Sequence, residues 1–417
     1  LILQKINWLF TAFIIAALHS ACYQYSEKDS RPIQNLQPTV ILISIDGFRY
    51  DYWEKVKAPT LRQLAATGVR AKALIPAFPT KTFPNHYTIV TGLYPEHHGI
   101  VANTMYDPEF DAKFSMSNRP AVQDGRWWGG EPLWVTAEKQ NQISGILFWP
   151  GSEAEILGVR PKYWKIYDED FPNTARVDTI LAWLNLPSQR RPTFLTLYFS
   201  DVDHAGHDTG PHSREVKTAI LEVDAILGRL VQGLQARGIF DRVNIIIVSD
   251  HGMTEVTSDH VIYLDDYLDL EKVEVIDWNP VVALRPRTMN EDEIYQALVK
   301  AHPRLRVYRK GEIPARLHYN HHRRIMPVIG IADDGWKISR HGMRNTREGV
   351  YTSGEHGYDN ALPAMRAIFI ARGPAFKSGL VVAPFQNIHI YSLICAILKL
   401  QPARNDGNLD SVRAMLR

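Results

Sequence analysis

Val40-Ile41-Leu42-Ile43-Ser44-Ile45-Asp46-Gly47 is a run of β-branched and aliphatic residues, broken only by Ser44 and closed by an acid and a glycine. A strand that is apolar without alternation is buried on both faces, as in a parallel sheet covered by helices. The same pattern recurs outward along the chain. Ile143 to Phe148 reads as a strand, as does Thr193 to Phe199 before Asp201-Val202-Asp203, and Asn244 to Val248 stops at Ser249-Asp250-His251-Gly252. Helical spacing fills the gaps. Leu61 and Leu64 share a face between Pro59 and Gly68; Val177, Ile180, Leu181 and Leu184 do so between Thr174 and Leu186. The clearest amphipathic helix runs from Ser213 to Gly238, with Ala219, Ile220, Val223, Ile226, Leu227, Leu230 and Leu234 inward. Strands alternating with helices predict an α/β fold with a central, mostly parallel sheet and helices on both faces. From about 263 to 339 shorter strands and a helix from Asn290 to His302 predict a small α+β insertion, after which Ala367 to Ala371 resumes the sheet and Ile388 to Leu400 closes it.

The ends of the chain carry different information. Lys5 precedes an apolar run from Ile6 to Leu18 that is short for a membrane span, and His19-Ser20-Ala21-Cys22 follows. Residues 1–22 read as a secretory signal peptide that also resembles a bacterial lipoprotein signal, and the polar residues 23–38 read as a linker before a domain from 39 to 417. Export follows, to the periplasm or to a lipid anchor at the cell envelope. Lys and Arg number 47 against 45 Asp and Glu, so no nucleic-acid groove or general basic face is expected, and no protein partner is predicted. The two cysteines, Cys22 and Cys395, are too few for a disulfide framework.

Function in open parallel sheets gathers at the carboxyl ends of strands. Asp46, Asp203 and Asp250-His251 fall there, and His207 and His356 lie in the similar clusters D-H-A-G-H and G-E-H-G-Y. Three aspartates and three histidines suit zinc or another divalent metal, and six ligands fit two metals better than one closed tetrahedral site. Thr82, before Phe83-Pro84, reads as the N-cap of a helix that Gly92 closes, which sets its oxygen where negative charge is favoured. Lys81 reads as a solvated or phosphate-touching side chain, His98 as structural, and H-Y-N-H-H-R-R from His318 to Arg324 as a solvated loop.

Five stretches make a more specific pattern: Ile45-Asp46-Gly47-Phe48-Arg49, Pro79 to His86, Gly92 to Ile100, Ser249 to Met253 and Gly354 to Gly357. Together they resemble a bacterial member of the nucleotide pyrophosphatase/phosphodiesterase family (type I phosphodiesterases) of the alkaline phosphatase superfamily, from about Thr39 to Gly407. The resemblance implies an alkaline phosphatase-like sheet and Thr82 as a nucleophile that becomes covalently phosphorylated. It implies two zinc ions, one on Asp203, His207 and His356 and the other on Asp46, Thr82, Asp250 and His251. Asn103 matches the asparagine that, with the N–H after the nucleophile, binds a phosphate oxygen. Phe83, Tyr167 and Tyr198 match positions that line the base in nucleotide-cleaving members. Asp201-Val202 replaces the usual glutamate-proline before the ligand Asp203.

The implied activity is hydrolysis of nucleotides and similar small phosphodiesters to nucleoside 5′-monophosphates. The alternatives are a phosphomonoesterase, a lysophospholipid-cleaving phosphodiesterase, and a surface binding protein that keeps the fold without catalysis. A monoesterase normally adds a cationic clamp that no motif here supplies. The stretch from Phe148 through Tyr167 resembles nucleotide-cleaving members rather than lipid-cleaving ones.

Overall fold

Strand β1 (Thr39–Ile45) lies in the interior of an eight-stranded sheet, every residue of it buried. The structure is a computed structural model, and it describes residues 32–343 and 351–417. The signal-like residues 1–22 and the first part of the linker, to residue 31, lie outside the described residues. With β2 (Val69–Ala71), β3 (Ser144–Ile146), β4 (Tyr163–Trp164), β5 (Phe194–Phe199), β6 (Val243–Val248), β7 (Phe369–Arg372) and β8 (Leu380–Val382), the order across the sheet is β8-β2-β7-β6-β1-β5-β3-β4. β1 pairs in parallel with both β5 and β6, whereas β7 is antiparallel to both its neighbours. The sheet is therefore mostly parallel, as its unalternating strands require.

The pleat divides β1 between two cores. Val40 and Leu42 face α2 (Thr82–Thr91) and α6 (His389–Leu398), while Ile41, Ile43 and Ile45 face α1 (Pro59–Ala66), α3 (Asn173–Leu184) and α5 (Arg214–Ala236). Ser213 caps α5, its Oγ accepting the Val216 N–H at 3.1 Å. Buried Asp224 on the inward face of α5 accepts the N–H groups of Thr60 and Leu61, at 3.1 and 2.8 Å, and so caps α1 from a neighbouring helix. One expected strand is shortened: regular pairing stops at Ile146, because Phe148 takes a left-handed φ of 59° that turns the chain into Trp149-Pro150-Gly151.

The α+β insertion has its own core. Strands Val273–Asp277, Val281–Pro286, Val328–Ala332 and Leu305–Arg309 form an antiparallel sheet in that order, and helix Glu291–Leu298 buries Ile294 and Leu298 with it. An Asn290–Glu293 capping box starts that helix.

The segment from His318 to Arg324 is not a solvated loop. Tyr319 and Arg324 are buried, and Arg324 donates to the carbonyls of Gly99 and Trp127 at 2.8 and 2.7 Å. Asp107, fully buried, accepts from Arg323 Nε at 3.0 Å and from Arg324 Nε at 2.5 Å. Glu96 accepts the N–H groups of Asn320 and His321. A run of basic residues beside buried acids becomes a brace, and no periodicity announces it.

Burial would raise the Asp107 carboxyl, but hydrogen bonds from Arg323 and Arg324 hold it down at about 2. Because the folded value is depressed, its stabilisation is present above the unfolded value of about 3.9 and is lost as pH falls through the folded one. Asp107→Asn should cost about 3–5 kcal/mol at neutral pH, since it strands a buried guanidinium. Urea unfolding at pH 7 and near pH 3 should show the gap to the parent protein narrowing in acid; a pH-independent gap contradicts the ion-pair account.

Candidate active site

Three chain reversals at the carboxyl edge of the sheet bring the acids and histidines together. Asp46 directly follows β1, and Asp250-His251 follow β6. Asp203 does not end its strand: it lies in the first turn of helix α4 (Asp201–Thr209), with His207 one turn later. The i,i+4 spacing puts both on one helix face, their ligand atoms 3.5 Å apart. Gly47 has φ +65°, and a Cβ there would lie 2.9 Å from Asp203 Cα, so the turn after β1 needs glycine to let α4 approach. Gly354 plays the same part on strand Thr352–Glu355, where a Cβ would lie 2.3 Å from the Gly206 carbonyl oxygen.

The six residues form two trios, Asp203-His207-His356 and Asp46-Asp250-His251, and within each the ligand atoms all lie within 4.8 Å of one another. Every histidine is oriented from behind. Nδ1 of His207 donates to the Gly354 carbonyl (3.0 Å), that of His251 to Gly252 (2.9 Å) and that of His356 to Thr80 (2.9 Å). Nε2 is thereby the nitrogen that faces the carboxylates and that a metal would take in place of a proton, the arrangement that metal-binding histidines use. The rings of His251 and His356 stack at 3.5 Å between centroids, which joins the two trios.

The carboxylates test whether a cation fits. Asp46 Oδ1 and Asp203 Oδ1 are buried and have no hydrogen-bond partner, a costly state for an ionised oxygen unless positive charge meets it, and buried Asp250 Oδ2 has only His251 Nε2, 2.9 Å away. Burial, then the charges of Asp250 and Asp203, push the Asp46 carboxyl far up. Burial works the same way on Asp250, but His251 and His86 outweigh it and hold that carboxyl low. Burial and the neighbouring His251 and His207 keep His356 neutral, the form that ligates. Oxygen and nitrogen donors of this kind fit divalent metal ions, zinc among them.

Thr82 is the first residue of α2 rather than its N-cap. Lys81 takes the cap position in extended conformation, without a side-chain cap bond, and Thr82 Oγ1 is freed to reach 3.3 Å from His251 Nε2. Gly92 closes the helix with φ +67°, as its position predicted. Lys81 is neither solvated nor turned to the site: it is buried, and its Nζ is 2.5 Å from Asp277 of the insertion. Asn103 Oδ1 accepts the Phe83 N–H at 2.9 Å, so these two groups share one spot beside Thr82. His98 is structural, bonded to Thr88 Oγ1 at 3.0 Å.

A cavity of about 240 Å³ opens from Asp46, Thr82 and Asp203 and is walled by Phe83, Phe148, Tyr167 and Tyr198. Phe83 leans on Phe114 and Trp128, and Tyr167 makes edge contacts with Phe148 and Tyr198. Tyr198 is tied at its polar end, donating to Asp46 Oδ2 at 2.6 Å. Arg119, Glu153, Glu169 and His204 also line the cavity. None of those four was singled out from sequence. Glu153 accepts from Arg119, Gln123 and the Tyr167 N–H, contacts between distant segments that no spacing encodes. His86, the last residue of the Pro79–His86 stretch, lies four residues after Thr82 and hence on the same helix face: its Nδ1 donates to the Thr82 carbonyl at 2.9 Å and its Nε2 accepts from Ser44 Oγ at 2.8 Å.

Comparison with known proteins supplies an independent line. The family described as type I phosphodiesterase/nucleotide pyrophosphatase matches residues 40–359. The chain is 41% identical over 400 residues to ectonucleotide pyrophosphatase/phosphodiesterase family member 1 of Mus musculus, covering 93% of this chain and 43% of that protein. To family member 5 of Homo sapiens it is 38% identical over 411 residues, covering 98% and 83%. The solved structure of murine ectonucleotide pyrophosphatase/phosphodiesterase 5 matches with TM-score 0.87 and 39% identity over 91% of this chain and 100% of that one. An inactive threonine-to-alanine variant of the murine protein in complex with AMP matches at TM-score 0.87 and 38% identity, over 92% and 100%.

A divalent ion that meets the orphaned oxygens stabilises the folded chain by mass action, about 2.7 kcal/mol at a hundredfold excess over Kd. Metal-stripped protein should therefore melt at a higher temperature when zinc, manganese or cobalt is restored. In Asp203→Asn that upward shift should shrink. An equal shift in both proteins means that the metal acts elsewhere.

Proposed function

The chain belongs to the type I phosphodiesterase/nucleotide pyrophosphatase family, and on that premise we propose that it hydrolyses nucleotides and nucleotide-like phosphodiesters to nucleoside 5′-monophosphates, with Thr82 as the nucleophile. The observation that carries the reading is one cavity in which Thr82, beside both ligand trios, faces the aromatic walls Phe83 and Tyr167. Flat aromatic walls stack on any base, so several nucleotides are accepted.

The residues divide the work. Asp203, His207 and His356 would hold one zinc or similar ion; Asp46, Asp250 and His251, with Thr82, would hold a second. When bound, the ions lower the pKa of the threonine hydroxyl and offset the charge on the phosphate oxygens. Thr82 Oγ1 loses its proton and attacks phosphorus, and the bond to the leaving oxygen breaks as that group departs with a proton. The Asn103 amide N–H binds a non-bridging oxygen at the N-terminus of α2, where developing negative charge is favoured, and the Phe83 N–H, accepted by Asn103 Oδ1, holds that amide in place. Water then attacks the phosphorus of the nucleotidyl-threonine, releasing the monophosphate and restoring the hydroxyl. Tyr198 keeps Asp46 in place through its 2.6 Å hydrogen bond.

Lys81 supports a diester rather than a monoester: the cation next to the nucleophile is held by Asp277 and is not offered to a doubly charged terminal phosphate. The polar groups of Arg119, Glu153, Glu169 and His204 in the cavity fit a nucleotide better than an alkyl chain. The domain reading accompanies this: a leader in residues 1–22, a linker to 38, and one catalytic unit beyond it with the insertion at about 263–339. Export is supported by the leader-like sequence and by relatives named as ectoenzymes. No helix among the described residues is long and apolar enough to cross a membrane. The chain spans less than half the length of the mouse member 1 relative, so the activity assigned here is that of this segment.

Rates on a nucleotide 5′-diester, a nitrophenyl phosphate monoester and lysophosphatidylcholine separate the readings. The diester should lead by a wide margin, and Thr82→Ala should lose roughly a thousandfold or more while remaining folded. Monoester or lipid preference overturns the substrate; surviving activity in Thr82→Ala overturns the nucleophile. Elemental analysis should find about two metal ions per chain, one fewer in His356→Ala.

A further inference from the structure

Thr80, two residues before Thr82, is fully buried and makes a three-point contact with the turn that carries His356. Its hydroxyl donates to the Tyr358 carbonyl at 3.0 Å and accepts the Gly357 N–H at 3.0 Å. Its carbonyl accepts from His356 Nδ1 at 2.9 Å, the bond that leaves His356 Nε2 free. The next residue, Lys81, is anchored on Asp277, and the one after is Thr82 itself, 3.3 Å from His251. Three consecutive residues thus tie one trio's histidine, the insertion and the reactive hydroxyl into a single strap. Only the torsions of Lys81 and Thr82 lie between the Thr80 carbonyl and the Thr82 hydroxyl, and the Lys81 anchor on Asp277 and the helix that starts at Thr82 restrict both.

We propose that Thr80 is a positioning residue: by clamping the 356–358 turn it makes the placement of His356 and the placement of Thr82 mutually dependent. The inference rests on the reading of Thr82 as nucleophile and of His356 as a metal ligand. Its physical content is a linkage. Metal at the Asp203-His207-His356 trio fixes His356, His356 fixes the Thr80 carbonyl, and the strap then holds Thr82 in its attacking position. By reciprocity, whatever loosens the strap weakens metal binding at that trio. Thr80 touches neither the proposed substrate nor the metal; it acts through its neighbours.

The deciding variants are Thr80→Val, which keeps the shape and loses the hydroxyl, and Thr80→Ser, which keeps the hydroxyl and loses the methyl. Thr80→Val should lower kcat roughly 10–100-fold with little change in KM, and should release metal to a competing chelator roughly tenfold more readily. Thr80→Ser should stay close to the parent in both. Should Thr80→Val fail to fold, Thr80→Ala, which leaves room for a water to serve the turn, should still fall below Thr80→Ser in kcat and in metal retention. Parent-like kcat and metal retention in a folded valine or alanine variant overturns the proposal, as does a serine variant as impaired as either, which assigns the effect to packing of the methyl. If the parent cleaves no diester, the functional reading fails, while chelator competition on Thr80→Val against Thr80→Ser still tests the clamp.

Discussion

Three carboxylates, Asp46, Asp203 and Asp250, crowd into a buried space, two of them with an oxygen left unsatisfied and the third leaning on the His251 ring. Like charges at such range in low dielectric are strongly unfavourable, so an assembly of this kind persists only if cations meet it or protons do. The surrounding structure makes sense as support for that crowd. A sheet with two hydrophobic cores provides the rigid edge from which two of the acids project, and the third arrives on a helix that only glycine at position 47 lets close enough. Each histidine is aimed by a backbone carbonyl, which does not change rotamer, so each Nε2 stays turned to the acids whether it carries a proton or meets a metal.

The insertion has a mechanical part in the same economy of charge. Lys81 bonds to Asp277 at the end of one of its strands, and Asn279 bonds to Glu355 beside His356. Both contacts are next to proposed site residues, one before the proposed nucleophile and the other before a proposed metal ligand. On the other side of α2, the brace from His318 to Arg324 closes on Asp107 and on the carbonyls of Gly99 and Trp127, fixing the chain that follows the helix. The small subdomain is therefore clamped to the helix of Thr82 at both its approaches.

What could be read from sequence was what periodicity and residue type encode locally. The unalternating strand at residues 40–45 announces a doubly covered sheet, and the acids and histidines of the trios stand in short glycine-bearing clusters. The misreadings share a cause. Lys81 and the run from His318 to Arg324 are charged, so they read as solvated, but each is paired with an acid far away in sequence. Thr82 has the residue type of an N-cap, yet the backbone turns into the helix one residue earlier in extended form, and the hydroxyl is spent on the ligand cluster. Asp224, for which the sequence offers no reading, has a cause of the same kind: an acid on an apolar helix face is explained only by the N-terminus of another helix against it. Long-range partners decide all four, and spacing along the chain does not carry them.

The two ends of the cavity are held by different kinds of contact. The chemical end is positioned by main-chain carbonyls, a strand edge and a helix face. The recognition end is held by side chains gripping one another: Glu153 gathers Arg119, Gln123 and the Tyr167 amide, and Phe148 and Tyr198 bracket the Tyr167 ring. Side-chain networks can be rebuilt one residue at a time, whereas main-chain anchors move only with the fold. The proposed substrate end is thus open to variation through residues 116–169 without disturbing the two Asp/His trios, with Tyr198 as the exception. Its ring lines the cavity and its hydroxyl holds Asp46, so a change there alters the cavity wall and the Asp46 carboxylate together.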